Sequence, residues 1–178
     1  MTHRSHLYAA DSLPTKDDTP RPVRSVSDHN WSIPLAQLLL VGHGTTVVPS
    51  MMWDPPMCVA ADYAEGADLL LALLRLVGEG EVPDREDFDD LVALIARHLD
   101  EQKSRYFLLE AGEIFDLREA DLDTAARELI RYEIEPAAAR ARAALGGGET
   151  AWLEEIRREW PTHFVSFYVS HLSYSFPD

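Results

Sequence analysis

The sequence predicts an α+β fold in which a small mixed or antiparallel sheet is packed by four to five helices. Helical apolar patterns fill much of the chain after residue 60, and short apolar runs typical of buried strands occur near residues 57–61 and 105–110. Apolar residues make up 46% and charged residues 26% of the 178 residues, as in a folded globular protein. Because this length suits one domain, residues 1–178 are expected to form a single domain.

Four segments of the chain are expected to form the sheet. They lie near residues 4–9, 57–61, 105–110 and 163–174. The last segment carries large apolar side chains at both even and odd positions, a pattern typical of an interior strand. Residues 11–30 are instead polar and contain three prolines, which indicates a long loop on the protein surface.

Apolar spacing and capping residues predict the helices. The clearest helix follows Asp84, a candidate N-cap, and repeats apolar residues at helical spacing from Phe88 to Leu99. Pro136 is expected to kink or break a helix, and Pro161 is expected to end one. The other predicted helices cover residues 32–42, with a strand at 37–41 as the alternative, and residues 63–77, 121–145 and 150–160.

Residues 105–117 combine the most apolar run of the second half of the chain with three carboxylates at three-residue spacing. The apolar part, residues 106–109, has the length and composition of a core strand. Gly112 permits a turn or a bulge, and residues 113–117 are then expected to continue as a second, short strand.

Three short motifs resemble a family of uncharacterised bacterial proteins. Residues 4–8 match an Arg-Ser-x-Leu-Tyr opening, residues 62–66 an Asp-Tyr-x-x-Gly segment, and residues 106–115 a Tyr-Phe-x-Leu-Glu-x-Gly-Glu-Ile-Phe core. The resemblance extends over most of the chain. It implies no activity, and it supports residues 106–117 as an organising element of the fold.

The distribution of charge bounds the classes of partner. The net charge is −15, and residues 61–178 hold 12 basic against 26 acidic residues, a net charge of −14. Such a surface repels nucleic-acid phosphates and anionic lipids, so neither nucleic acid nor a membrane is an expected partner. It attracts a basic protein and accelerates that encounter at low salt, although solubility alone also explains an acidic surface.

The expected compartment is the cytoplasm. Cys58 is the single cysteine, which excludes a disulfide within the chain and fits an inert core residue. The N-terminus lacks the apolar segment of a secretory signal, and the longest apolar run, residues 69–74, is too short to span a membrane. The excess of arginine over lysine and the alanine-rich run near residue 140 suggest a bacterial source.

Glu110, Glu113 and Asp116 are the candidate catalytic residues. Carboxylates on adjacent elements can bind a divalent cation or serve as an acid/base pair, and a turn at Gly112 would bring these three together. The structural alternative is that Glu110 pairs with an arginine at a strand end while Asp116 caps the next helix.

The histidines give a weaker indication of a metal site. His3, His6 and His171 would meet if the two terminal strands paired, but they form no zinc-binding spacing, so no cofactor is predicted. Residues 42–46, Gly-His-Gly-Thr-Thr, resemble an anion-binding turn, which a helix end followed by a turn explains equally well.

The candidate partner-binding residues are Trp31, Met51, Met52 and Trp53. The last three belong to a proline-rich loop whose apolar surface must pack on the core of the protein or on a partner.

Three functions remain open at this point. The first is an acidic, non-enzymatic interaction module, of the kind represented by immunity proteins that neutralise a basic protein partner. The second is a carboxylate- or metal-dependent enzyme using Glu110, Glu113 or Asp116. The third is a homo-oligomeric scaffold whose contact surface includes Trp31 and residues 51–53.

Overall fold

The computed structural model describes residues 3–54, 56–166 and, for the backbone alone, 173–174, and the fold is α+β. The sheet runs in the order β3-β4-β5-β1-β2-β6, and each pair of neighbouring strands is antiparallel. The strands are β1 (Arg4–Ala10), β2 (Val23–Asn30), β3 (Thr46–Val48), β4 (Cys58–Asp62), β5 (Tyr106–Glu110) and β6 (Ser173–Tyr174).

The helices pack on one face of this sheet. They are α1 (Leu35–Leu40), α2 (Tyr63–Gly78), α3 (Arg85–Glu101), α4 (Gly112–Leu117), α5 (Ala125–Leu129), α6 (Glu135–Leu145), α7 (Thr150–Arg158) and α8 (Trp160–Phe164). Their apolar side chains meet Leu7, Phe107 and Leu109 in the main core. Within the described ranges, no helix is both long and apolar enough to cross a bilayer.

The opposite face, which we call the outer face, has a second and smaller core. Alternate residues of each strand point to opposite faces, so Tyr8 and Leu108 lie here while Leu7 and Leu109 face the helices. This core includes Tyr8, Ala10, Val23, Val48, Cys58, Ala60 and Leu108, with Leu13 and Met51 packed against it. The last two belong to loops, so loops cover the outer face.

Strand β2 corrects the prediction of a loop over residues 11–30. The register between β1 and β2 slips by one residue, because Leu7 pairs with Ser27 whereas Tyr8 pairs with Ser25. Val26 is the extra residue of this bulge, and both Val26 and Ser27 are buried. The bulge breaks the alternation of apolar and polar residues, which removed the signal from which a strand would be predicted.

The predicted strand over residues 163–174 is wrong at its start. Residues 160–164 form α8, with Pro161 in the first turn, where proline is tolerated because its missing N–H has no partner to lose. Residues 167–172 lie outside the described residues, and Ser173 and Tyr174 pair with β2.

Two further predictions of secondary structure are corrected. Residues 113–117 are not a second strand, because they belong to α4, which starts directly after the buried end of β5. Of the kink or break expected at Pro136, the break does not occur: a π-helical stretch, Ile130–Ile134, interrupts the regular α-helix just before Pro136 and joins α5 to α6. The wider turn accommodates a proline that lacks the N–H of a regular helix. Strand β3 was not predicted from the sequence.

The crossing of α1 and α2 depends on a glycine. A Cβ atom on Gly66 would lie 2.0 Å from the backbone oxygen of Leu40. Only a residue without a side chain therefore lets the two helices approach this closely.

Arginine side chains satisfy the carbonyl groups at the end of α2. The guanidinium of Arg157, on α7, donates to the oxygens of Val77 at 3.0 Å and Leu76 at 2.8 Å. Arg85 donates to the oxygen of Gly78 at 2.8 Å. The last carbonyls of a helix have no partner inside it, so these bonds connect α7 and α3 to the end of α2.

Candidate functional site

A row of four side chains that can form hydrogen bonds crosses the outer face of the sheet. The register places Cys58 of β4 opposite Glu110 of β5, Glu110 opposite His6 of β1, and His6 opposite Asp28 of β2. Directly opposed residues of antiparallel strands have neighbouring side chains. The sheet therefore assembles this row from four segments that are distant in sequence.

Glu110 is almost completely buried, with 1% of its surface exposed. Its Oε2 accepts a hydrogen bond from the Ser50 hydroxyl at 2.7 Å, and its Oε1 accepts one from the Met51 amide at 2.7 Å. Burial raises the pKa of Glu110, which these bonds and one from the Cys58 thiol partly offset. The expected partner at this strand end was an arginine, and the structure shows hydroxyl and amide donors in its place.

These bonds fix the loop that covers the outer face. The Ser50 hydroxyl oxygen also accepts from the amides of Met52 at 3.0 Å and Trp53 at 2.9 Å. The indole of Trp53 rests on Gly112, where an added Cβ would lie 2.3 Å from its Nε1. This apolar loop was expected to pack either on the core of the protein or on a partner, and its Trp53 packs against the core.

His6 lies between two carboxylates. Its Nδ1 is 2.9 Å from Oδ1 of Asp28, and its Nε2 is 3.8 Å from Oε1 of Glu113. The other oxygen of Glu113 accepts a hydrogen bond from the Arg4 amide at 2.8 Å. Burial lowers the pKa of His6, but the hydrogen bond and charge of Asp28 and the charge of Glu113 outweigh it, so this pKa is raised. The three side chains join β1, β2 and α4.

Trp31 stands at the same end of the sheet, directly after β2. Its side chain is 55% exposed, and its φ of 71° lies in the left-handed region, which is uncommon for a bulky residue. The Trp31 amide donates to the His3 oxygen at 2.8 Å, and the two rings lie 5.7 Å apart. An aromatic side chain held outward at a strained backbone position is a feature found at binding sites.

The three carboxylates predicted as catalytic residues lie in different surroundings in the structure. Glu110 is buried under the 50–53 loop, and Glu113 faces His6. Asp116 is exposed on α4, inside that helix, so it does not cap the next one. Of the predicted partner-binding residues, Trp31 and Met52 are exposed, and Met51 and Trp53 are half-buried.

The histidines predicted to bind a metal lie in different surroundings. His3 contacts Trp31, whereas His6 contacts Asp28 on the outer face. His171 lies outside the described residues. In the described part of the chain, no group of three or more His, Cys, Asp or Glu side chains has an arrangement suited to a metal ion.

A cavity of about 680 Å³ lies beside the covering loop. Ser50 and Trp53 form part of its wall, and the polar segment 15–21 forms another part. The charged residues that line it are Lys16, Arg21, Asp17, Asp18 and Asp54. The lining of the cavity thus carries charges of both signs.

Comparison with known families identifies the class of protein to which this α+β chain belongs. Residues 11–148 match the family described as a domain of unknown function, DUF7822. The chain belongs to that family. The comparisons with curated proteins and with solved structures gave no match.

One contact of the site and the full burial of one histidine outside it were not predicted from the sequence. The pairing of His6 with Asp28 was missed because Asp28 fell in the predicted loop. His98 was expected to be a partly buried surface residue, but it is almost completely buried, and its Nε2 lies 2.9 Å from the Val26 oxygen. His98 stands one residue before Leu99 of the apolar stripe, and that position on α3 was the signal available for it.

Proposed function

We propose that the protein is a non-enzymatic interaction module that binds a basic protein partner in the cytoplasm, as immunity proteins bind basic toxins. The proposed contact, which we call the sheet-end surface, comprises Trp31, Met52, Asp28 and Glu113. The observation that carries the proposal is the exposed Trp31 at positive φ, at the same end of the sheet as two carboxylates that are about one-third exposed. Tryptophan is among the residues that contribute most to the binding energy of protein interfaces.

Contacts connect the parts of this surface. Trp31 binds the backbone of His3, and the adjacent Arg4 amide binds Glu113. Gly112, the residue before Glu113, supports Trp53, which follows the exposed Met52. Each of these contacts holds a member of the surface or its direct neighbour in the chain, and a surface arranged before binding loses less entropy on association.

Charge supports a basic partner. The chain carries 31 acidic against 16 basic residues, and two of the acidic residues belong to the sheet-end surface. Opposite charge accelerates association and disfavours acidic competitors. A cationic side chain of the partner would meet Asp28 and Glu113, and its apolar stem would pack on Trp31.

The state of Glu110 favours this proposal over the carboxylate-dependent enzyme. Both of its oxygens accept hydrogen bonds from the covering loop, and its surface is 1% exposed. A general acid or base must reach the proton that it transfers. In this position the carboxylate orders a loop, and a substrate would have to displace that loop to reach it.

The proposal is tested by selecting binders from a displayed library of random peptides on the immobilised protein. We expect enrichment of arginine and lysine, and binding of the enriched synthetic peptide that weakens about tenfold or more in Trp31→Ala. Tyr132→Ala, which removes another exposed aromatic ring, is the matched control and should bind normally. Selection without charge preference, or equal binding by Trp31→Ala, would contradict the proposal.

Light scattering distinguishes the homo-oligomeric scaffold. The interaction module is expected to be monomeric without its partner. A stable dimer that Trp31→Ala dissociates, while Tyr132→Ala leaves it intact, would assign the sheet-end surface to self-association.

A further inference from the structure

We infer that Asp28 and Glu113 form a receptor for a guanidinium or ammonium group of the partner, and that His6 occupies this receptor in the free protein, so that binding expels a proton. The inference rests on the proposed function and adds the regulation of the same surface. It assigns to His6 the role of an internal competitor, which the partner's cation replaces.

The geometry of the receptor carries the argument. Nδ1 of His6 lies 2.9 Å from Asp28, and Nε2 lies 3.8 Å from Glu113, so one imidazole faces a carboxylate at each of its two nitrogens. Only imidazolium has a hydrogen on both nitrogens, so only the protonated ring presents a donor to each carboxylate. The side chain of His6 is 15% exposed, whereas those of Asp28 and Glu113 are 30% and 32% exposed. The carboxylates are thus more open to solvent than the imidazole, so an incoming cation can approach them from outside.

The competition between His6 and the partner's cation for Asp28 and Glu113 depends on the charged groups around His6. Asp28 faces it from β2, Glu113 from α4 and Glu110 from β5, while Arg4 lies on its own strand. Tyr8, also on β1, stacks its ring at 6.1 Å. With His6 protonated, the receptor of His6, Asp28 and Glu113 carries a charge of −1. Loss of the proton makes it −2, and the repulsion between imidazolium and the partner's cation disappears.

Protons balance in the exchange. The imidazolium of His6 gives one proton to solvent, and the partner's guanidinium or ammonium takes over the interaction with Asp28 and Glu113. Because coupling between two binding events is reciprocal, a partner that expels a proton must bind more tightly as the pH rises. The pKa of His6 in the free protein is raised, so the ring holds its proton to higher pH than an ordinary histidine.

Calorimetry with a defined probe tests this exchange. The probe is a blocked peptide of alternating arginine and glycine, which has no group that titrates near neutral pH. Titration in two buffers of different ionisation enthalpy measures the protons released. We expect release of up to one proton per complex near pH 7, and affinity that rises several-fold between about pH 6 and pH 8.

Two variants isolate the histidine. His6→Gln should bind with little pH dependence and release no proton, because glutamine keeps a donor for Asp28 but does not titrate. His43→Gln is the matched control, since His43 also lies near a carboxylate, 3.9 Å from Asp62, but outside the receptor. It should release protons as the wild type does.

The outcomes separate the two proposals. Binding that is equal at both pH values, with no proton released, overturns the internal competitor and leaves the proposed function standing. Absence of binding at either pH overturns both. An NMR titration of the His6 ring in the wild type needs no variant: the peptide should shift its titration to lower pH, and an unchanged titration in a saturated complex would overturn the inference.

Discussion

His98 of α3 donates from Nε2 to the backbone oxygen of Val26 at 2.9 Å, and Val26 is the extra residue of the β2 bulge. A bulge interrupts the ladder of backbone hydrogen bonds, and a buried carbonyl without a donor is costly. The histidine thus binds the helical layer to the sheet where the ladder is irregular.

Replacing this histidine by an apolar residue should destabilise the fold. His98→Leu removes the donor to the Val26 oxygen, and we expect the free energy of unfolding to fall by about 1–3 kcal/mol. Urea denaturation measures the change. His43→Leu, at a half-exposed histidine, serves as the control and should change it by no more than about 0.5 kcal/mol; equal losses in both variants would refute a specific role for the bond.

Glu110 should make the folded protein less stable as the pH rises, whereas most carboxyl groups make it more stable. Its pKa in the folded state is raised, so folding favours the protonated form. Stability from this group is present below the unfolded pKa near 4.5 and is lost as the pH rises through the folded pKa. The stability of the wild type minus that of Glu110→Gln should therefore decrease between about pH 4 and pH 7.

Thermal melting of both proteins at each pH gives that difference. The same comparison with Glu119→Gln, at an exposed glutamate, controls for the titration of the remaining carboxyl groups. A difference for Glu110 that rises with pH would show that the hydrogen bonds from Ser50 and Met51 dominate over burial.

His6 should contribute stability at low pH and lose it at higher pH. Its folded-state pKa is raised by Asp28 and Glu113 against the effect of burial. The contribution is then complete below the unfolded pKa near 6.5 and disappears as the pH rises through the folded pKa. The stability of the wild type minus that of His6→Gln should be larger at about pH 6 than at pH 8. Denaturant titrations at both pH values measure it, and a constant difference would exclude the ion pairs.

Two glycines of α2 should respond in opposite ways to the same substitution. Gly66→Ala places a Cβ 2.0 Å from the Leu40 oxygen and should cost about 1–3 kcal/mol or more, because backbone must move. At Gly78 the nearest atom would be 3.4 Å away, so Gly78→Ala should be neutral or slightly stabilising. Comparable losses in both variants would contradict the close crossing of α1 and α2.

Arg157 should stabilise the protein through α2 and not through surface charge. Arg157→Met removes the guanidinium donors to the Val77 and Leu76 oxygens, which keep only backbone donors, the amides of Gly80 at 3.3 Å and Glu79 at 3.2 Å. The free energy of unfolding should fall by about 1–3 kcal/mol. Arg158→Met removes the same charge at the exposed neighbouring position and should have little effect. Denaturation of the two variants side by side decides between them.

Prediction from the sequence worked where local signals agree with the final packing. The apolar stripe of α3 is visible in the sequence because one face of that helix packs against the core. The apolar run of β5 is visible because both faces of that strand are buried. Strand β2 was not predictable in this way. Its two valines are three residues apart, a spacing that does not match the period of a regular strand, and the bulge that accommodates this spacing forms only in the folded sheet.

The candidate site followed the same rule. Glu110 and Glu113 stand out in the sequence as acids in an apolar stretch, and both belong to the site. Asp28 does not stand out, because a single acid in a polar segment carries no local signal. Its role depends on the register that places it beside His6, which long-range pairing sets.

The covering of the outer face has a consequence for how the molecule opens. The amides of Met51, Met52 and Trp53 bind the side chains of Glu110 and Ser50, and no strand among the residues that the structure describes accepts them. Their exchange with deuterium should therefore report the detachment of one loop, at a lower free energy than the separation of β1 from β5. The two faces of the sheet would then belong to two cooperative units. The face covered by helices would be the more stable unit, and the loop on the outer face would detach separately, at a lower free energy.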